Sequence, residues 1–154
     1  MGVCRVRALL AAPLPRVWEF IIDPRNMHLW GPLAEPVTGI DRPLQAGDRF
    51  IQQRKGFFRN ETQELLVEGV ITYRSLHLRV LPHRGSKMTG TATVNLEEAA
   101  DPGTTWIEEV LSYSLGDGPV IRWLDRWLLC PLLGVVVRLK SSKAFRRLGK
   151  ELAQ

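Results

Sequence analysis

The stretch that decides the fold is Ala12–Trp30, which reads APLPRVWEFIIDPRNMHLW. Pro13 and Pro15 suit the first turn of a helix, where a backbone N–H is not needed, and apolar residues then recur at helical spacing. Asp23 followed by Pro24 is typical of a second helix start, because the aspartate can cap the turn that the proline begins. The stretch therefore predicts two short helices, each carrying a tryptophan.

Outside this stretch the pattern is mainly that of strands. In residues 3–11 the apolar side chains of Cys4, Val6, Ala8 and Leu10 alternate with a set that includes Arg5 and Arg7. This alternation has the period of a half-buried strand. From residue 36 to residue 115, β-branched and aromatic residues are interrupted by glycines, which indicates an antiparallel meander. Together with the first strand, this pattern predicts seven strands. The other six lie at 36–42, 48–56, 61–70, 74–82, 87–97 and 104–115.

The last part of the chain has helical periodicity. After Pro119, apolar residues recur every three or four positions as far as Leu152, which predicts one long C-terminal helix. Its longest apolar run, Trp127 to Val137, is shorter than the roughly 20 residues that a membrane-spanning helix needs. We therefore predict no transmembrane segment.

Size and composition set wide limits. The 154 residues fit one domain, 1–154, with a sizeable core. The net charge of +5 suits either a solvated basic surface or an anionic partner. Cys4 and Cys130 lack the spacing of a metal or disulfide motif, which favours a reducing compartment and hence the cytoplasm.

Several groups of residues occur in an order that covers the whole chain: Ala12-Pro13, Val17-Trp18-Glu19-Phe20, Asp23-Pro24, Trp30, Gly47-Asp48-Arg49-Phe50 and Gly103-Thr104-Thr105-Trp106. Together they resemble the START-like, or helix-grip, superfamily, in its polyketide cyclase/dehydrase and lipid-transport branch (SRPBCC-type). The resemblance implies an α+β fold in which a seven-stranded curved antiparallel sheet wraps around a long C-terminal helix. The two short helices would lie between strands 1 and 2.

The resemblance also implies a cavity between the sheet and the C-terminal helix. Such a cavity accepts a small hydrophobic ligand such as a lipid, a sterol or a polyketide, and the expected role is that of a carrier or sensor. Members of the superfamily include enzymes as well as carriers, so the fold alone does not decide the activity. The residues predicted to bind the ligand are Trp30, Phe50, Gln52, Arg54, Leu78, Met88, Trp106, Glu108, Trp127 and Leu128.

Glu108 is the candidate catalytic residue. The resemblance places Trp106 and Glu108 toward the cavity, although Ile107 and Leu111 leave the opposite orientation open. A carboxylate buried there would need a cation, for which Arg54 is the candidate, or would be driven to its neutral form. Glu108 would then orient a polar head group or act as the acid/base of a cyclase or dehydratase. Alternatively, it is solvated at the cavity mouth.

Other chemistry has little support in the sequence. His28, His77 and His83 are scattered and form no metal-ligand motif, so we predict neither a metal nor a cofactor. No nucleophile elbow, phosphate loop or dinucleotide fingerprint is present.

The end of the chain resembles a basic amphipathic helix, which suggests weak contact with an anionic membrane. A solvated outer face explains the same residues, and nucleic acid is the less favoured partner of a basic regulator. Oligomeric state is not predicted. The basic residues concerned are Arg138, Lys140, Lys143, Arg146, Arg147 and Lys150.

Overall fold

The structure, a computed structural model, describes residues 2–30, 35–55, 60–83, 89–114, 143 and 145–152. Its elements begin with a strand and two short α-helices that flank one 3-10 turn (Pro24–Asn26), and five more strands follow. The strands and α-helices are β1 (Gly2–Leu10), α1 (Leu14–Ile22), α2 (Met27–Trp30), β2 (Arg49–Lys55), β3 (Asn60–Ile71), β4 (Ser75–Leu81), β5 (Thr89–Glu98) and β6 (Thr105–Ser114).

The strands form one antiparallel sheet in the order β1-β6-β5-β4-β3-β2. All strands but the first therefore follow one another as a meander, and β1 joins beside the last of the described strands. The β3–β4 pairing shifts register between Val67 and Gly69, where a bulge carries the exposed Glu68. The predicted strand at 3–11 and the five predicted between 48 and 115 are confirmed, with ends within two residues of those observed.

One face of the sheet, which we call the inner face, carries most of the core. Residues opposite each other in the register share a face, so Val6, Val94, Leu76 and Ile107 lie together, and all are buried. Helix α1 packs its buried residues, Val17, Trp18 and Ile21, into the same apolar cluster.

The two short helices form as their sequence predicts. Pro13 precedes α1 in an extended conformation, and a second proline occupies its first turn, where neither needs to donate a hydrogen bond. The Asp23 carboxylate accepts a hydrogen bond from the Arg25 backbone N–H at 2.9 Å and so caps the 3-10 turn. The Arg25 guanidinium also donates to this carboxylate, which holds the pKa of Asp23 below its ordinary value.

The predicted strand at 36–42 is wrong, and the described residues contain six strands rather than seven. Two prolines, Pro36 and Pro43, cannot donate to a strand ladder, and Gly39 has a φ of +86°, which a strand does not allow. The segment instead lies against α1, where Leu44 N–H donates to Ile22 O at 2.9 Å.

The Asp48 side chain then fixes the entry to β2. Its carboxylate accepts hydrogen bonds from the Gln45 backbone N–H at 2.8 Å and from the Arg42 guanidinium at 2.7 and 2.9 Å. The hydrogen bonds from Arg42 are the main reason that the pKa of Asp48 lies below its ordinary value. The segment before β2 is therefore held by the Asp48 side chain and not by pairing of a strand at 36–42.

Only the end of the predicted C-terminal helix is among the described residues, where 143 and 145–152 are helical. Phe145, Leu148 and Leu152 are buried against the core, and the residues between them are mostly exposed. The rest of the predicted helix lies outside the described residues. That residues 1–154 form a single domain stays a prediction.

Substitution of two glycines by alanine has opposite expected effects. A Cβ at Gly90 would clash with the Ser112 carbonyl and lie 3.1 Å from Tyr113 Cα, so Gly90→Ala lowers the free energy of unfolding by about 1–3 kcal/mol. A Cβ at Gly149 would meet only Leu10 Cδ2, at 3.9 Å, so Gly149→Ala raises it by about 0.5–1 kcal/mol. Urea unfolding of the three proteins measures both changes, and equal effects of the two variants would contradict this account.

Asp48→Ala lowers the free energy of unfolding by about 1–2 kcal/mol, because it removes charge-assisted hydrogen bonds to Arg42 and Gln45. Glu98→Ala, at an exposed site, is the control. Folding lowers the pKa of Asp48, so the difference between wild type and Asp48→Asn is present above about pH 4 and is lost as the pH falls below it. A difference that grows on acidification would show that Asp48 is not stabilising as a carboxylate.

Candidate functional site

A patch on the inner face of the sheet is only half-buried although it is apolar. It consists of Val80, Gly90, Ala92 and Leu111, and we call it the inner-face patch. The register makes these residues neighbours, since Leu111 lies opposite Ala92 and Gly90 lies opposite Val80. Gly90 has no side chain and Ala92 has only a methyl group, so the layer of side chains on the sheet is thinnest at the middle of the patch.

The sequence-predicted residues Phe50 and Leu78 lie on this face. Phe50 is opposite Leu65 and Leu78 is opposite Ala92, and the side chains of both predicted residues are buried. Leu78 therefore borders the inner-face patch directly. Both side chains face the core, and their contact with a ligand stays a prediction.

Trp30 ends α2 and belongs to the same buried cluster, with 3% of its surface exposed. Its indole Nε1 is buried and has no hydrogen-bond partner among the residues that the structure describes. A buried donor without an acceptor costs about 1–3 kcal/mol. Trp30 is thus a predicted site residue whose indole N–H has no acceptor within the described ranges.

The predicted inward orientation of Trp106 and Glu108 is wrong. In the β1–β6 register Glu108 lies opposite Arg7 and Trp106 lies opposite Leu9, which puts both on the outer face of the sheet. Arg7 and Leu9 alternate with the buried residues of β1, so their face is the solvated one. The Arg7 guanidinium lies 4.4 Å from the centre of the Trp106 ring.

The predicted pairing of Glu108 with Arg54 is also wrong. The Glu108 carboxylate lies 3.6 Å from the Arg5 guanidinium and accepts a 3.5 Å hydrogen bond from Asn95. Three strands separate β6 from β2, which carries Arg54, so the two strands are roughly 19 Å apart. Glu108 is an outer-face residue with partners of its own.

Glu109 is the inner-face carboxylate that the sequence analysis missed. It lies opposite Val6 and Val94, with only 3% of its surface exposed. Two positions further along β6 is Leu111, a member of the inner-face patch. The signal was present in the sequence, because the alternation of Ile107, Glu109 and Leu111 matches that of the apolar residues of β1.

The remaining predicted site residues have less support. Gln52 and Arg54 lie in β2, opposite Gln63 and Glu61. Their side chains are outside the description, as are Met88, Trp127 and Leu128 altogether. Of the neighbours, Gln63 is a buried polar side chain that the sequence analysis did not single out.

The histidines have separate local roles. His28 Nδ1–H donates to Arg25 O at 2.8 Å, and His83 Nδ1 lies 3.9 Å from the Glu64 carboxylate. On the outer face, His77 forms hydrogen bonds with Ser75 Oγ at 3.0 Å and Thr93 Oγ1 at 3.3 Å. The described ranges contain no cluster of three or more side chains suited to holding a metal.

The fold is shared with many solved structures, since 233 chains of known structure match this chain. A protein from Mycobacterium smegmatis, Ms6760, is 21% identical with a TM-score of 0.65, and the match covers 98% of this chain and 90% of that one. A conserved protein from Geobacillus kaustophilus is 15% identical with a TM-score of 0.69, covering 99% and 95%. Similarity at this level of identity establishes the fold and not the activity.

One match comes from a biosynthetic locus. DynU16, a protein of the dynemicin biosynthetic locus, is 19% identical with a TM-score of 0.56. The match covers 94% of this chain but 49% of DynU16, so this chain spans about half of that protein. The α+β architecture with its six-stranded antiparallel sheet is compatible with a polyketide-cyclase-like fold.

Neither a protein-family model nor a curated protein shows significant similarity to the chain. None of the helices in the described part of the chain has the length and apolar character that crossing a bilayer requires. The function must therefore be argued from the inner face itself.

Proposed function

We propose that this protein is a START-like (SRPBCC-type) domain that binds a small hydrophobic ligand, such as a lipid, sterol or polyketide, as a carrier or sensor. The ligand lies on the inner face of the sheet, over the inner-face patch. The observation that carries the proposal is that this apolar patch stays half-buried, although the same face is fully buried at Val94 and Leu76. Burial of the patch under an apolar ligand would remove that surface from water.

Trp30 supports the proposal with a polar contact. Its unpartnered indole N–H would donate to an oxygen of the ligand, which removes the cost of the unsatisfied donor. Sites for small molecules combine an apolar lining with a few polar groups that fix orientation. Under this proposal the ligand is largely apolar and carries at least one hydrogen-bond acceptor.

The first experiment is native mass spectrometry of the freshly purified protein, followed by denaturing extraction of any retained compound. The proposal expects an apolar molecule that bears an oxygen acceptor. Titration with Nile red, a neutral apolar dye with a carbonyl group, then measures binding without relying on the natural ligand. A protein that retains nothing and does not bind Nile red would contradict the proposal.

Ala92→Leu fills the inner-face patch and weakens Nile red binding by about tenfold or more, since it occupies space that the ligand needs. Thr91→Leu is the matched control, because the neighbouring side chain is exposed on the outer face. Fluorescence titration measures both affinities, and circular dichroism shows whether each variant is folded. If Ala92→Leu does not fold, Ala92→Val fills less of the inner-face patch and serves as the replacement variant. Equal affinities of the Ala92 variants and wild type would place the dye elsewhere.

In the same titration Trp30→Phe tests the donor, since phenylalanine keeps an aromatic ring but has no N–H. The loss of one hydrogen bond weakens Nile red binding by about twofold to tenfold. Unchanged affinity would remove Trp30 from the proposed site while leaving the apolar patch in place.

An enzyme of the cyclase or dehydratase kind is the second candidate, and Glu109 is the observation that favours it. A carboxylate that is 3% exposed on the inner face, two residues from Leu111, is the type of group that acid/base chemistry on an apolar substrate uses. Glu108, the sequence-predicted acid/base, lies on the opposite face and does not fit this role.

Glu109→Gln separates the enzyme from the carrier, with Glu108→Gln as a control one residue away. For a dehydratase, Glu109→Gln retains a compound that differs from the wild-type compound by the elements of water, because the proton transfer is blocked. Mass spectrometry of the extracts makes the comparison. If wild type and both variants retain the same compound, the carrier is supported and acid/base catalysis by Glu109 is excluded.

A further inference from the structure

A groove of about 500 Å³ lies apart from the inner-face patch, between the end of β1 and the C-terminal helical segment 145–152. One wall is aliphatic and is formed by Ala8, Leu9, Leu10 and Ala11. Of these, Leu9 is the most exposed large side chain, with 48% of its surface accessible, and Leu10 is buried. The end of β1 therefore contributes aliphatic residues to the groove, of which Leu9 is the large exposed one.

The other wall is basic. Arg146 and Lys150 line the groove and are exposed, and their spacing of four residues puts them on one side of the helix. Arg147 is exposed on the same segment, and Lys143, two residues before it begins, is also exposed. Buried Phe145 and Leu148 fix this segment to the core, so the positions of the cations follow from packing.

These cations also differ from most arginines elsewhere in the described chain. Arg5, Arg7, Arg25, Arg42 and Arg79 each lie within 3.6 Å of a carboxylate. Lys143, Arg146, Arg147 and Lys150 form no ion pair with any described residue, and Glu151 is the only acidic residue in the sequence from 143 to 152. The positive charge beside the groove is therefore not neutralised within the described structure.

We propose that this groove is a docking surface for the anionic lipids of a membrane. Such a surface offers negative head groups above an aliphatic interior, which matches a groove with one aliphatic wall and one basic wall. Nucleic acid fits less well, because the groove wall has no exposed aromatic ring for a base to stack on; its one aromatic residue, Phe145, is buried. The docking proposal does not depend on what the inner face binds.

Vesicle flotation tests the proposal with the full chain. Wild type binds phosphatidylcholine vesicles that contain about one third phosphatidylserine, does not bind vesicles of phosphatidylcholine alone, and is released as salt increases. Arg146→Gln/Lys150→Gln weakens binding by roughly tenfold to thirtyfold. The control is Arg16→Gln/Arg74→Gln, which removes the same charge from exposed sites outside the groove and changes affinity by less than about twofold.

Leu9→Ser provides a second readout, since it weakens binding severalfold without changing the dependence on salt. The proposal is overturned if wild type does not bind the phosphatidylserine vesicles, or if the two double variants lose affinity equally. It is also overturned if a single-stranded oligonucleotide, and not the vesicles, binds in a manner that requires Arg146 and Lys150. Ala92→Leu, which blocks the inner face, keeps full vesicle binding, so the failure of either proposal is recognised separately.

Discussion

The pairing of β1 with β6 is the constraint on which the chemistry of this protein depends. It sets Glu109 opposite Val6, and thus inside, and it sets Glu108 opposite Arg7, and thus outside. A register shifted by one residue would place Glu108 and Trp106 inside and Glu109 outside. The apolar alternation of both strands opposes that shift, because Val6 and Leu10 of β1 and Ile107 of β6 are all buried in the observed register.

Much of the architecture could be predicted from the sequence, because its signals are local. Proline placement located the two helices, and alternation located the strands of the sheet. The prediction of a strand at 36–42 was wrong because Val37 and Ile40 are typical strand residues, whereas Pro36, Gly39 and Pro43 exclude strand geometry. The site was harder, since the face on which Glu108 lies depends on a partner strand far away in the sequence. The indole N–H of Trp30, which lacks an acceptor in the part of the chain that the structure describes, has no signal in the sequence.

The two faces of the sheet have different chemistry. On the outer face, charges are exposed and paired across strands, as with Arg7 and Glu97 at 3.2 Å, and such pairs contribute little to stability. On the inner face, a few polar groups lie within apolar surroundings, where each one has a large effect on binding or folding. The groove beside β1 differs from both because its cations are exposed and have no described partner.

The hydrogen bond from Thr105 Oγ1 to Ala12 O, at 2.8 Å, joins residues that are 93 positions apart. The first strand of the chain thus obtains its described partner only after nearly the whole sheet has been synthesised. Folding of such a topology has a high contact order, so closure of the sheet is late and slow compared with formation of the β2–β5 meander. Until β6 emerges from the ribosome, β1 is an exposed apolar strand, and a chaperone that holds nascent chains would protect it from aggregation.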